Sequence, residues 1–249
     1  MPSVALLEVR GMSKSYGAVS ALRDVGFVVN AGEVVALAGD NGAGKSTVIK
    51  VLSGITPADA GDILLQGERT VLHQPGDAVR LGIQTVYQDL ALCPNLDAVD
   101  NIFLGREMRK PSWQGYRLTR PAMERIAGEV LASVGIRLKG INLPVSTLSG
   151  GQQQAVAVCR AILGDPQLVI LDEPTAALGV TQTREVLELI RRLRDQGRGV
   201  IVVSHDLDQV LEVADRIVVL RLGRTVADKE VGEWTEHSLI TAIAGAATH

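Results

Sequence analysis

The chain has 249 residues, of which 46% are hydrophobic and 21% are charged, and its formal net charge is −3. This length and composition are typical of a soluble globular protein with a substantial core. No face-sized cluster of Lys and Arg is present, which excludes a nucleic-acid-binding surface.

Targeting signals are not evident in the sequence. No apolar run approaches the ~20 residues that would cross a bilayer, and residues 1–8 lack the basic and apolar regions of a signal peptide. Cys93 and Cys159 match no metal-binding or redox spacing, so both are expected to be free thiols in a reducing compartment. We therefore expect a cytoplasmic protein, with any membrane part supplied by another chain.

The first elements along the chain are predicted to be short strands. Apolar residues alternate over 6–10 and recur over 25–29, with turn signals at Gly11, Gly17 and 30–32. This pattern predicts antiparallel strands.

A glycine-rich loop follows the next predicted strand, residues 33–38. Residues 39–47 fit the pattern G-x-x-x-x-G-K-[ST], and a helix is predicted over 46–52. Glycines allow main-chain N–H groups to wrap phosphates, and the helix N-terminus favours an anion. Lys45 is expected to reach the β- and γ-phosphates, and the Ser46 hydroxyl to bind Mg²⁺. The candidate ATP-binding residues are Gly39, Asp40, Asn41, Gly42, Ala43, Gly44, Lys45, Ser46 and Thr47.

The remaining two thirds of the chain divide into a helical part and an alternating part. Strands over 62–65 and 82–87 precede a mostly helical stretch from about 90 to 157, which is interrupted at 111–115. The last third alternates strands over 168–171, 200–203 and 217–220 with helices over 181–196 and 207–214. This alternation predicts a mostly parallel sheet.

Polar residues follow three of these apolar strands. Asp172 and Glu173 end one strand, Gln88 follows another, and His205 follows a third. Taken singly, an Asp there is often a helix cap, a Gln a surface residue and a His a structural residue. Residues 148–152, Leu-Ser-Gly-Gly-Gln, form a second glycine-rich element, for which a helix N-cap is the simplest interpretation.

The order of these segments resembles the nucleotide-binding domain of ABC ATPases over nearly the whole chain. The resemblance implies an α/β fold, with a P-loop NTPase core of mostly parallel sheet, an N-terminal antiparallel β subdomain and an inserted α-helical subdomain. It implies one domain over 1–249, with the core at 1–89 and 158–224, the insert at 90–157 and a small appendage at 225–249.

The same resemblance implies roles for the polar residues. Asp172 is expected to bind Mg²⁺, Glu173 to polarise the attacking water, and Gln88 to contact Mg²⁺ or its water. His205 is expected to contact the γ-phosphate. Tyr16 resembles the aromatic residue that stacks on adenine, although a surface tyrosine of the hairpin is the alternative.

The glycine-rich segment at 148–152 resembles the family's signature motif. Ser149, Gly150, Gly151 and Gln152 would contact the γ-phosphate held by a second copy, so that two ATP molecules lie between two domains arranged head to tail. A helix N-cap uses the same physics, and the two interpretations agree. The resemblance therefore implies a homodimer.

Residues 40–41, 86–92, 101–107 and 174–180 are similar to the ATPases of bacterial ribose-, xylose- and fructose-type importers. This implies an ATPase that energises a monosaccharide importer from the cytoplasmic face of the inner membrane. Its partners would be a transmembrane permease, reached through Gln88 and the insert, and indirectly an extracytoplasmic sugar-binding protein. Gly179 departs from the family, which usually has Asp there, and this puts strict coupling of the two sites in doubt.

Three other functions are alternatives to the importer ATPase. An ATPase subunit of an exporter would share the other motifs, and only the importer-like segments argue against this alternative. A soluble ABC ATPase that remodels a translation or repair complex usually has tandem domains, coiled-coil inserts or basic extensions. A small-molecule kinase does not explain residues 148–152 and lacks a visible acceptor motif.

Overall fold

The computed structural model describes residues 4–110, 118–138 and 140–245. The interruption predicted at 111–115 lies outside these residues. Across the described ranges, no helix combines the length and apolar character needed to cross a membrane.

Ten strands and eight α-helices are present in the described part of the chain. The strands are β1 (Leu7–Tyr16), β2 (Val19–Val29), β3 (Val34–Ala38), β4 (Ala60–Leu65), β5 (Glu68–Thr70), β6 (Ile83–Val86), β7 (Leu168–Asp172), β8 (Gly199–Val203), β9 (Arg216–Arg221) and β10 (Arg224–Glu230). The helices are α1 (Lys45–Leu52), α2 (Pro75–Arg80), α3 (Ala98–Phe103), α4 (Arg120–Ser133), α5 (Gly150–Ile162), α6 (Val180–Asp195), α7 (Leu207–Val213) and α8 (Glu236–Ala244).

The N-terminal strands form an antiparallel sheet of order β2-β1-β4-β5. The predicted antiparallel strands and the turn at Gly17 are confirmed. The turn predicted at Gly11 is wrong, because β1 continues through this residue. Gly11 has a φ of 63° where the register shifts between Val9 and Met12, so the glycine forms a bulge rather than a chain reversal.

The second sheet has six strands in the order β10-β9-β3-β8-β7-β6. Every neighbouring pair is parallel except β9 and β10. All residues of β3 and β8 are buried, as expected for strands with both faces covered. The predicted α/β class with a mostly parallel sheet is confirmed, and the carboxyl ends of β3, β6, β7 and β8 lie at one edge.

Helices α3, α4 and α5 lie in the chain between the adjacent strands β6 and β7. Apolar side chains of these helices, such as Ile102, Met123 and Val156, form one core with Leu171 of β7 and Ile190 of α6. Burying such side chains contributes roughly 1.5–3 kcal/mol each. Helix α5 continues past residue 157, so the proposed boundary of the insert falls inside this helix.

The C-terminal segment extends the large sheet. Strand β10 pairs antiparallel with β9, and α8 packs against this edge through the fully buried Leu239. The segment after Leu222 forms β10 and α8, and β10 is continuous with the main sheet.

Candidate nucleotide-binding site

An open cleft of 590 Å³ lies at the carboxyl edge of the large sheet. It is lined by the loop between β3 and α1, by Gln88 after β6, and by Asp172 and Glu173 at the end of β7. Residues far apart in sequence thus meet at one place, because parallel strands bring their carboxyl ends to the same edge.

Two glycines of the loop have no room for a side chain. A Cβ at Gly39 would lie 2.4 Å from the carbonyl oxygen of Leu220. At Gly44, where φ is 111°, a Cβ would lie 2.7 Å from Leu22 Cδ2 and 3.0 Å from the Ala21 carbonyl oxygen. Glycine at these positions allows the loop to pass close to the neighbouring strands before α1 begins.

The Lys45 side chain folds back over the loop. Its Nζ donates hydrogen bonds to the carbonyl oxygens of Gly39 and Asp40, the latter at 3.1 Å. Burial lowers the pKa of Lys45, while the neighbouring carboxylates, chiefly Glu173, oppose that shift. A buried ammonium held by two carbonyls beside the cleft is placed to exchange these partners for phosphate oxygens.

Asp172, at the end of β7, carries a partly buried carboxylate next to that of Glu173. Burial, followed by the charge of Glu173, raises the pKa of Asp172, and Lys45 acts in the opposite direction. A cation beside Asp172 would offset this unfavourable burial of negative charge.

The oxygen groups around the cleft fit Mg²⁺. Ser46, Gln88 and Asp172 offer a hydroxyl, an amide and a carboxylate oxygen, which are the hard ligands that Mg²⁺ prefers. In the described ranges, no group of three or more His, Cys, Asp or Glu side chains could hold a metal. In nucleotide enzymes, Mg²⁺ is commonly held by one or two carboxylates together with substrate phosphates and water.

Glu173 and His205 form a direct contact. His205 Nδ1 lies 2.8 Å from Glu173 Oε2, and the Glu173 amide donates to the Val203 carbonyl at 2.8 Å. Glu173 has a φ of 50°, an unusual conformation for a residue with a side chain. The His205 side chain is 72% exposed, whereas that of Glu173 is 16% exposed. The loops after β7 and β8 therefore hold Glu173 in place beside the cleft.

His205 itself lines a second cavity, of 500 Å³, on the other side of the glycine-rich loop. Asp40 and Asn41 line both cavities, and Ile240 and Ile243 of α8 form part of the wall of the second. The structure thus brings His205 to Glu173 but not into the main cleft.

Tyr16 ends β1 beside the cleft and is 46% exposed. It is not among the described residues that line the cleft, whereas Val19, just beyond the hairpin turn, is. The Lys14 ammonium lies 5.7 Å from the centre of the Tyr16 ring and is held by Asp59 at 2.6 Å. The tyrosine ring therefore makes a cation–π contact with Lys14.

The stacking role proposed for Tyr16 makes a specific prediction. We expect Tyr16→Ala to raise the KM for ATP about tenfold, since stacking of a base on an aromatic ring is worth about 1–3 kcal/mol. Tyr16→Phe is the matched control, because it retains the ring and should keep the KM of the unmodified chain. Equal KM values for all three proteins would identify Tyr16 as a surface residue of the hairpin.

The segment 149–152 begins α5. Ser149 Oγ accepts a hydrogen bond from the Gln152 amide at 3.3 Å, and Gln152 Oε1 accepts one from the Ser149 amide at 3.0 Å. A Cβ at Gly150 would lie 2.6 Å from Leu178 Cδ2, so this glycine allows close packing on the segment after β7. None of Ser149, Gly150, Gly151 and Gln152 is among the described residues that line the cleft.

Gly179 precedes α6 in extended conformation, with φ −76° and ψ 166°. Within the described part of the chain, no atom lies within 4 Å of a Cβ built at this position. The space would accept a side chain, so packing does not explain the glycine.

The turn between β9 and β10 contributes to the cleft, although no motif in the sequence marks it as part of the site. Leu222 and Gly223 line the cleft together with Arg23 of β2. The Gly223 amide donates to the Ala43 carbonyl at 3.0 Å, and the Arg23 amide donates to the Gly223 carbonyl at 2.7 Å. The Leu222-Gly223 pair predicts a turn, but its position beside the loop depends on the pairing of β9 with β3.

Comparisons with known proteins gave a matching family model, similar sequences and structures of similar fold. A family model described as ABC transporter matches residues 22–176. The chain is 48% identical over 228 residues to the xylose/arabinose import ATP-binding protein of Sulfolobus acidocaldarius, covering 92% of this chain and 89% of the relative. It is 46% identical over 250 residues to the fructose import ATP-binding protein of Rhizobium meliloti, covering 99% of this chain and 96% of the relative.

A solved dimeric ATP-binding cassette, in a post-hydrolysis state with ADP and Pi, has a similar fold. The TM-score is 0.73 at 24% identity, and the match covers 90% of this chain and 98% of that chain.

Proposed function

The chain belongs to the ABC transporter family, and we propose that it is the ATP-hydrolysing subunit of an importer for a monosaccharide. The observation that supports the chemistry is the cleft, where Lys45, Gln88, Asp172 and Glu173 meet. The observation that supports the cargo is the similarity to two sugar-import ATP-binding proteins over nearly their full lengths.

Hydrolysis forms a bond between a water oxygen and the γ-phosphorus. It breaks the bond between the γ-phosphorus and the oxygen that bridges to the β-phosphate. In the proposed arrangement, Glu173 orients the water and accepts its proton, and His205 holds the Glu173 carboxylate. Contact of His205 with the γ-phosphate would require its ring to turn from the second cavity toward the main cleft. Lys45 and the loop N–H groups stabilise negative charge on the phosphates. Mg²⁺, held by Ser46, Asp172 and Gln88, would neutralise further charge on the phosphates.

The working form proposed here is a homodimer. Ser149, Gly150, Gly151 and Gln152 are absent from the described lining of the cleft, so within one copy they are not placed to contact ATP. In a head-to-tail pair they would face the γ-phosphate of the second copy, where the N-terminus of α5 favours an anion. The dimeric cassette with a similar fold supports this arrangement.

The proposed partners are transmembrane permease subunits, which contact the chain through Gln88 and the helical insert at the cytoplasmic face of the membrane. A sugar-binding protein on the other side would act through the permease. Closure of the dimer on ATP and reopening after hydrolysis would then be transmitted to the permease.

An affinity pull-down from membranes solubilised in mild detergent, followed by mass spectrometry, tests this assignment. The proposal predicts recovery of a polytopic permease, with or without a sugar-binding protein. Recovery of ribosomal or repair proteins alone would favour a soluble remodelling ATPase. Recovery of a permease that exports its substrate would support the family assignment and contradict the assignment as an importer.

A further inference from the structure

The loop after Gln88 is fastened to α5, the helix that begins at Gly150. Arg160 lies in the last turn of α5. Its Nη1 donates to the Ala91 carbonyl at 2.8 Å, and its Nη2 donates to the Leu90 carbonyl at 2.6 Å. One guanidinium thus joins two consecutive carbonyls about 70 positions away in the chain.

Among the described residues, the main-chain groups of the loop make few other hydrogen bonds. Ala91 has a φ of 48°, which is unfavourable for a residue with a Cβ. Its amide donates to Asp89 Oδ1 at 3.1 Å, a contact within the exposed loop. At the far end, Cys93 exchanges hydrogen bonds with the buried Asn101 of α3. Between Gln88 and this anchor, Leu90 and Leu92 pack against the core, and Arg160 provides the hydrogen bonds to another element.

Arg160 itself depends on these two hydrogen bonds. Burial lowers its pKa, and the like charge of Arg106 acts in the same direction, whereas Cys93 opposes the shift. A partly buried guanidinium that donates to main-chain carbonyls loses much of its stabilisation when those carbonyls move away. The loop and the C-terminal turn of α5 therefore stabilise one another.

We infer that Arg160 is a positioning residue that makes the Gln88 loop and helix α5 move as one unit. Gln88 lines the cleft, and the N-cap of α5 is Ser149, so this contact connects the two segments proposed to act on ATP in different copies. The inference deepens the proposed function and rests on it for its role in transport: a shift of the loop by the permease would reach residues 149–152 through α5.

Hydrogen–deuterium exchange in the isolated chain tests the contact without a permease. We expect the amides of Ala91 and Cys93, which donate to Asp89 and Asn101, to exchange about tenfold faster in Arg160→Met, because two hydrogen bonds that hold the loop in place are lost. Arg160→Lys retains the charge but not the fork of two donors, and should give an intermediate rate. Arg191→Met is the matched control, since Arg191 also joins two elements, through Glu188 and Glu212, away from this loop.

ATP hydrolysis in the assembled transporter tests the consequence. We expect Arg160→Met to reduce stimulation by the permease about tenfold, while the KM for ATP and the basal rate stay near those of the unmodified chain. Full rescue of both readouts by Arg160→Lys would overturn the requirement for the guanidinium fork.

Two other results would overturn the inference. Unchanged exchange of the Ala91 and Cys93 amides in both variants would show that the contact does not hold the loop, and faster exchange spread over α5 and β7 would identify a general structural role. Failure of the unmodified chain to respond to any permease would instead contradict the proposed function, and the exchange result would stand independently.

Discussion

Glu173→Gln is expected to bind ATP with nearly unchanged affinity and to lose hydrolysis by about 10²–10⁴-fold, the usual contribution of a general base. The glutamine side-chain amide has almost the same shape as the carboxylate, but it cannot accept a proton from the attacking water. Its contact with His205, at 2.8 Å in the unmodified chain, can be kept by the amide oxygen. The variant should therefore separate binding from chemistry.

Two measurements check this result. Single-turnover hydrolysis gives the rate of the chemical step, and gel filtration in Mg-ATP shows whether the ATP-bound dimer persists, as expected when it cannot reopen. Glu188→Gln is the matched control, because Glu188 lies on the exposed side of α6. Turnover of Glu173→Gln within about threefold of the unmodified chain would contradict the role assigned to this residue.

Lys45→Ala is expected to weaken ATP binding about 100-fold, since one or two charge-assisted hydrogen bonds to phosphates are lost at about 1.5–3 kcal/mol each. Hydrolysis should fall as well, because the ammonium also stabilises charge that develops on the phosphates. The fold should tolerate the change, since the bonds lost are those to the carbonyls of Gly39 and Asp40 in the same loop.

Isothermal titration gives the affinity for ATP, and thermal unfolding shows whether the fold tolerates the substitution. Lys50→Ala is the matched control, because Lys50 is an exposed residue in the last turn of the same helix. We expect it to bind ATP like the unmodified chain. Equal ATP affinity for Lys45→Ala and Lys50→Ala would contradict the phosphate-binding role of Lys45.

The features that the sequence predicted correctly depend on short segments. Short, continuous apolar runs rich in β-branched residues, such as β3 and β8, favour buried strands when turns and helices flank them. The glycine-rich loop is likewise specified locally, by glycines between a strand and a helix. In both cases the pattern is contained within about ten residues, so the rest of the fold was not needed.

The features that it missed depend on contacts between distant segments. Gly11 has the sequence signal of a turn, but the partners β2 and β4 on either side of β1 convert it into a bulge. Leu222 reaches the cleft because β9 pairs with β3, and Arg160 reaches the Gln88 loop because α5 packs beside it. No local pattern distinguishes these residues from ordinary turn and helix-surface positions.

The central claim is that ATP hydrolysis by this chain drives uptake of a monosaccharide. The most direct test uses proteoliposomes that contain the chain, the permease recovered with it and the sugar-binding protein, with ATP on the side of the membrane that carries the ATPase. Uptake of radiolabelled xylose, arabinose, ribose and fructose is then measured. The account predicts ATP-dependent accumulation of at least one of these sugars, abolished by Glu173→Gln. ATP hydrolysis without accumulation of any of them would contradict the claim.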